Sequence, residues 1–294
     1  VYKRQLGYHT LVLTSRGERV GEASLVISPA FLGFPQTMGE RRMWGLATQL
    51  YQVRSHQSWG VGDLVDLAEL SIWAATHQGA DYVLVNPLHA AEPIAPMEPS
   101  PYLPSSRRYV NPIYLRPESI AEYADLDQSD RAHIEHLRSQ AVAANAEQIQ
   151  RDQVWTAKRE ALEMIFAQPR SASRQMALDG FRVREGTALR DFATWCALVE
   201  ELGSDWRRWP EPWLDVNSPE VTTFRTEHAD RVAFHLWLQW CCADQASDAQ
   251  QAARDAGMAM GIVQDLAVGV SKAGADTWAQ ADFFAHGVSV GAPP

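Results

Sequence analysis

Hydrophobic and polar residues follow three different rhythms along this chain. From Gly7 to Ser28 short apolar stretches flank Ser15-Arg16-Gly17, which predicts two strands around a turn. A lone hairpin is not independently stable, so this pair needs a sheet to join. From Trp44 the run GLATQLYQVRS predicts a first buried strand. Leu64, Leu67, Ala68, Ser71, Ile72 and Ala75 then recur at helical spacing, giving an amphipathic helix that Gly79 ends. Tyr82-Val83-Leu84-Val85 is a continuous apolar run rich in β-branched residues, as in a strand covered on both faces. Strand, helix, strand is a βαβ unit, and its favoured geometry is a right-handed parallel crossover.

After Leu115 the strand rhythm stops for roughly 140 residues, too long for a connecting loop. Val154, Trp155, Leu162, Ile165 and Phe166 mark one helix, and Leu189, Phe192, Ala193, Cys196 and Val199 another that ends near Gly203. Ser218-Pro219 is an N-cap and first-turn pair, and VAFHLWLQWCC (232–242) is apolar nearly all round, so that helix is expected to be buried on most sides. Gly257 closes the last helix, and Met260-Gly261-Ile262-Val263 is a third buried strand with Gln264-Asp265-Leu266 at its C-terminal end. The expected class is α/β. Residues 1–30 form the end of an N-terminal β domain, 31–43 a linker, 44–114 two strands and a loop, 115–256 an inserted helical subdomain, and 257–294 the third strand with its following loop. The chain opens on Val1 and closes on Gly-Ala-Pro-Pro, which suggests part of a longer protein.

The chain has 294 residues, 46% hydrophobic and 21% charged, enough to bury a large core. A net charge of -10 argues against a nucleic-acid surface or an anionic membrane and leaves neutral or cationic ligands open, a balance that sugars fit. Cys196, Cys241 and Cys242 lie in helix-like sequence without metal spacing, and fit reduced core residues of a cytoplasmic protein. No signal segment and no apolar run of about 18 residues is present, so no membrane span is expected.

The stretch from Asp81 to Tyr114 holds most of the candidate chemistry. Its strand runs into a loop with five prolines from Pro87 to Pro101, and a stiff loop places side chains well. Tyr102 on that loop can stack on a sugar face and donate through its hydroxyl, or serve as an aromatic plug beneath the loop. His89 follows the strand and can donate to a ligand or be a satisfied structural histidine. Asp265 directly follows a buried strand, where parallel α/β folds place ligand-handling groups. It can accept hydrogen bonds from sugar hydroxyls, or cap a helix or fix a loop. Asp63 fits an N-cap, and Trp155, Trp195, Trp237 and Trp240 fit core packing. No metal site is read, and no carboxylate pair is placed for glycoside cleavage.

Five ordered blocks carry a resemblance: Ser58-Trp59-Gly60-Val61-Gly62-Asp63-Leu64, Leu84-Val85-Asn86-Pro87-Leu88-His89, Ser100-Pro101-Tyr102, the run SRRYVNPIY from Ser106 to Tyr114, and QDLAVGV from Gln264 to Val270. Together they resemble the 4-α-glucanotransferases (amylomaltase, disproportionating enzyme) of glycoside hydrolase family 77 over about Arg42 to Pro294. Ala275-Asp276-Thr277-Trp278-Ala279 is similar to the family's segment after barrel strand three, and the N-terminal hairpin to the β-sandwich extension of longer bacterial members.

The resemblance implies an incomplete (β/α)8 TIM barrel, strands one to three, with a large helical insertion. It implies action on α-1,4-glucans by a retaining double displacement without a cofactor, using an Asp nucleophile and a Glu acid/base. In the family these two residues and a third, stabilising Asp follow later strands, so no catalytic residue is expected within this chain. Tyr102 matches the family's Ser-Pro-Tyr tyrosine near the sugar at the cleavage point, and Asp265 the acidic residue after strand three that helps hold that sugar. Two other classes stay open: a non-catalytic glucan-binding protein, and a hydrolase of the same barrel type.

Overall fold

A computed structural model describes residues 5–34, 38–39, 42–145, 147–285 and 287–288. They belong to two compact units, Val1–Met43 and Trp44–Pro294. The expected linker over 31–43 and the tail from Ala281 lie partly outside the described residues.

In the first unit Arg16 and Gly17 both take positive φ, 51° and 86°. That is the two-residue hairpin turn whose twist matches the flanking strands, and glycine adopts it without strain. It joins β1 (Gly7–Ser15) to β2 (Glu18–Ile27), antiparallel, with a register shift between Leu13 and Thr14.

The second unit is an α/β fold around a parallel three-stranded sheet. Strands β3 (Gly45–Thr48), β4 (Tyr82–Val85) and β7 (Gly261–Gln264) stand in the order β3-β4-β7. They run in register from Gly45, Tyr82 and Gly261 to Thr48, Val85 and Gln264, so all three C-terminal ends lie level. The first strand is shorter than expected: after Thr48 the backbone enters a 3-10 turn at Leu50–Gln52. Asn86 fixes that turn by accepting from the Leu50 amide (2.7 Å) while donating to Pro87 O and the Tyr114 hydroxyl. The third strand starts one residue later than Met260.

Helix α1 (Leu64–Gln78) begins in a capping box. The Asp63 carboxylate accepts from the Val65 and Asp66 amides, and the Asp66 side chain accepts from the Asp63 amide. Gly79, in the left-handed region at φ 67°, ends the helix as its sequence predicts. Leu64, Leu67, Ser71 and Ala74 are buried, whereas Ile72 is 42% exposed. Spacing by three and four continues the stripe to Ala74 and turns Ile72, one step from Ser71, about 100° away from it.

Between β4 and β7, within the stretch expected as loop, the chain forms a short antiparallel pair, β5 (His89–Ala90) and β6 (Ser106–Val110). Five longer helices follow: α2 (Gln128–Ala144), α3 (Arg151–Phe166), α4 (Ala172–Leu202), α5 (Pro219–Glu227) and α6 (Ala229–Asp255). α4 is two rods broken at Gly186, whose φ of 63° and ψ of -143° leave the helical region. α6 packs on both α1 and α4, which explains why its middle is apolar all round. Trp155, Trp195, Trp237, Trp240 and the three free cysteines are buried. A single apolar core runs from the sheet through α1 and α6 to α4.

That core contains charge. Arg116, 2% exposed, donates from Nε to Asp63 (2.5 Å) and from Nη2 to Asp63 (3.0 Å) and Asp66 (2.9 Å). Lys158, fully buried, donates to the carbonyls of Ile113 (2.6 Å) and Leu115 (2.8 Å), and burial pushes its ammonium down to about 8. Among the described residues no helix is long and apolar enough to cross a membrane.

Candidate functional site

The site is assembled where the level strand ends meet the β5–β6 hairpin. Strand β4 delivers the chain through Asn86-Pro87-Leu88 to His89, and the segment 91–105 forms the hairpin's long connection. Its prolines restrict φ, and helices of the following region hold its carbonyls and amides. The Trp155 indole on α3 donates to Pro93 O (2.6 Å), and Asp152 accepts from the Met97 amide (2.8 Å). Gln239 on α6 pairs with both backbone groups of Val110. Ser100 Oγ accepts from the Tyr102 amide (3.3 Å), a short side-chain turn that presents the tyrosine outward.

Tyr102 is 49% exposed, so it is not the plug beneath the loop that its sequence allowed. Its hydroxyl donates to Asp265 Oδ2 at 2.8 Å. The hydrogen bond to Asp265, followed by partial burial, raises the phenol above its ordinary range and keeps it a donor. Asp265 stands one residue past β7, where its amide donates to Val85 O (3.0 Å) and its Oδ1 accepts from the Leu266 amide (2.8 Å). A carboxylate offers about four acceptor positions, so capacity remains for a ligand hydroxyl.

His89 joins them through the backbone. Its Nε2 accepts from the Ala267 amide at 3.3 Å, which places the ring proton of the neutral tautomer on Nδ1. Burial, then the Arg107 charge, lower the imidazole's pKa against the pull of Asp276 and Asp265. Of the three residues singled out in the sequence, the structure therefore pairs Tyr102 with Asp265 directly and ties His89 to the turn that carries Asp265.

Arg107 and Asp276 were missed. Arg107 Nη1 donates to the carbonyls of Ala267 and Val268, both at 3.1 Å, and its amide donates to Asp276 Oδ2 at 3.0 Å. Asp276 opens the short helix α7 (Ala275–Ala279), whose Asp276 amide donates to Ser105 O. Gly274 approaches Ser105 so closely that a Cβ would collide with its backbone. Local spacing carries no trace of these contacts, because the partners lie about 160 residues apart in the chain. Beside the hairpin a cleft open to solvent is lined by Tyr51, Pro87, His89, Glu98, Tyr114 and Arg151 among others. The Arg151 guanidinium lies 5.0 Å from the centre of the Tyr51 ring.

Residues 48–294, the stretch that holds the whole site, match the family model described as 4-alpha-glucanotransferase. The chain belongs to the 4-alpha-glucanotransferase family. The 4-alpha-glucanotransferase of Mycobacterium tuberculosis is 52% identical over 98% of this chain and 41% of its own length. The crystal structure of amylomaltase from Corynebacterium glutamicum superposes with a TM-score of 0.79 at 40% identity, covering 93% of this chain and 37% of that one. Amylomaltase from Streptococcus agalactiae, solved in complex with acarbose, has a TM-score of 0.64 at 17% identity over 83% of this chain and 47% of its own, a likeness of fold alone. This member of the family thus spans about two-fifths of the length of the curated relatives it matches.

Proposed function

We propose that the full-length gene product is a 4-alpha-glucanotransferase that moves α-1,4-glucan segments from maltodextrin donors to glucose or oligosaccharide acceptors. The reaction is a retaining double displacement: an Asp nucleophile displaces the leaving sugar, protonated by a Glu, and the same Glu then deprotonates the acceptor hydroxyl that releases the glucosyl group. Both catalytic carboxylates are assigned to later barrel strands. In this reading β3, β4 and β7 are the first three strands of a (β/α)8 barrel, 115–256 is a helical insertion, 31–43 a linker, and β1–β2 the end of a β-sandwich. The place of work is the cytoplasm, and neither nucleic acid nor membrane is a partner.

The observation that carries the reading is the Tyr102–Asp265 hydrogen bond of 2.8 Å at the C-terminal edge of the parallel sheet, the edge on which α/β barrels bind ligands. Tyr102 presents a ring face to the sugar, Asp265 accepts from a sugar hydroxyl, and His89 can contribute its Nδ1 proton. The test is Asp265→Asn in the full-length gene product. A charge-assisted hydrogen bond is worth about 1.5–3 kcal/mol, a loss of roughly tenfold to a hundredfold in kcat/KM on maltotriose, with Tm little changed. A lowered Tm with unchanged kcat/KM would make Asp265 a loop-fixing residue and sink this assignment.

A further inference from the structure

We propose that Arg107 is a positioning residue for transfer: it locks the turn that presents Asp265, so that carboxylate and Tyr102 meet in one arrangement. The inference rests on the sugar-contact reading of Asp265 and adds to it a residue that touches no sugar.

Ala267 is gripped through both of its backbone groups. Its N–H points to His89 Nε2 (3.3 Å) and its carbonyl, with that of Val268, receives the Arg107 guanidinium (3.1 Å each). The Ala267 side chain is fully buried, whereas Leu266 and Val268 on either side are 62% and 75% exposed. With exposed side chains on either side of Ala267, this turn draws on polar anchors for its conformation. Both anchors come from the β5–β6 hairpin, which also carries Tyr102 on its connecting segment. One hairpin thus supplies one member of the Tyr102–Asp265 pair and fixes the backbone of the other. Arg107 is itself seated, since its own amide is accepted by Asp276. A charged donor bridging two carbonyls holds them more strongly than a neutral one.

If Arg107 works only through Asp265, removing it costs nothing once Asp265 is gone. Arg107→Met, Asp265→Asn and the double variant of the full-length gene product are assayed on maltotriose, with Tm measured for each. The expected result is a loss of about tenfold in kcat/KM for Arg107→Met, a double variant within about twofold of Asp265→Asn alone, and partial recovery in Arg107→Lys, which keeps the charge. Losses that multiply, or a normal kcat/KM in Arg107→Met, overturn the positioning role while leaving the Asp265 assignment intact. A normal kcat/KM in Asp265→Asn removes both. Should Arg107→Met fold poorly, the same cycle run with Arg107→Lys decides in the same way.

Discussion

At the scale of single residues, Arg116 sets the largest energetic stake. It pairs with two carboxylates, Asp63 and Asp66, in a region where all three side chains are at most 2% exposed. Burial is the chief cause that raises the Asp63 carboxyl, and the Lys158 charge opposes it first, ahead of the Arg116 hydrogen bond. Breaking such a pair leaves charge without a partner and typically costs 3–5 kcal/mol, although exchanging the whole set for apolar groups is often neutral. Arg116→Met is therefore expected to lower unfolding free energy in urea by about that amount. A loss below ~1 kcal/mol would mean that Asp63 and Asp66 find other donors. Tyr102 sits at the opposite extreme. Half exposed, it is expected to change Tm by no more than about 2 °C as Tyr102→Phe, since a surface substitution costs within about 0.5 kcal/mol, yet to lose about tenfold in kcat/KM with its hydroxyl. Comparable Tm and activity losses would return it to a structural role.

At the scale of elements, a polar knot joins α3, α4 and α6. Glu200 on α4 accepts from Arg231 on α6 (2.5 Å), and Arg231 also reaches Glu163 on α3 (2.7 Å). Burial raises Glu200, but the hydrogen bonds and charges of Arg231 and His235 outweigh it and take the carboxyl down to about 2. A depressed carboxylate contributes stability that is complete above its unfolded value of 4.5 and is lost as pH falls towards 2. The span amounts to at most about 3 kcal/mol. Glu200→Gln should therefore be less stable at pH 7 and show a flatter decline between pH 4.5 and 2, measured by urea titration at each pH. An unchanged acid limb would place the acid sensitivity elsewhere.

The same elements show what a sequence can tell. The ends of α1 were legible because Asp63 and Gly79 act on their own neighbours, and so was β4, whose both faces are apolar. Helix α2 was not, since only Ile134, Leu137 and Ala141 of its seventeen residues are buried and its polar faces hide the stripe. The β5–β6 pair is too short for periodicity to register, and its partners outside the hairpin are set by Gln239 and Asp276 far along the chain. Tyr102 and Asp265 were singled out separately, the one by its stiff loop and the other by its place after a buried strand, and the family resemblance matched both. That they bond to each other was not legible, and Arg107 was marked only as part of the block from Ser106 to Tyr114, without a role.

At the scale of the whole molecule, substrate contacts and covalent chemistry are assigned to different stretches of the polypeptide. Residues 1–294 produced alone are accordingly expected to release no glucose from maltotriose above background, because a double displacement needs both a nucleophile and an acid/base. Turnover abolished by a substitution within these residues would show that the chemistry lies here after all.

The Tyr102–Asp265 bond also has a history in time. Its two residues are 163 positions apart, and β4 waits slightly longer for β7 than Tyr102 does for Asp265. At about 5–20 residues per second a ribosome needs roughly 8 to 30 s to cover that distance. Throughout that interval one edge of β4 is without its partner strand, and helices α2 to α6 are the sequence that emerges meanwhile. α3, which holds the hairpin's connection through Trp155 and Asp152, can thus shape the tyrosine's half of the site before the aspartate's half has been translated.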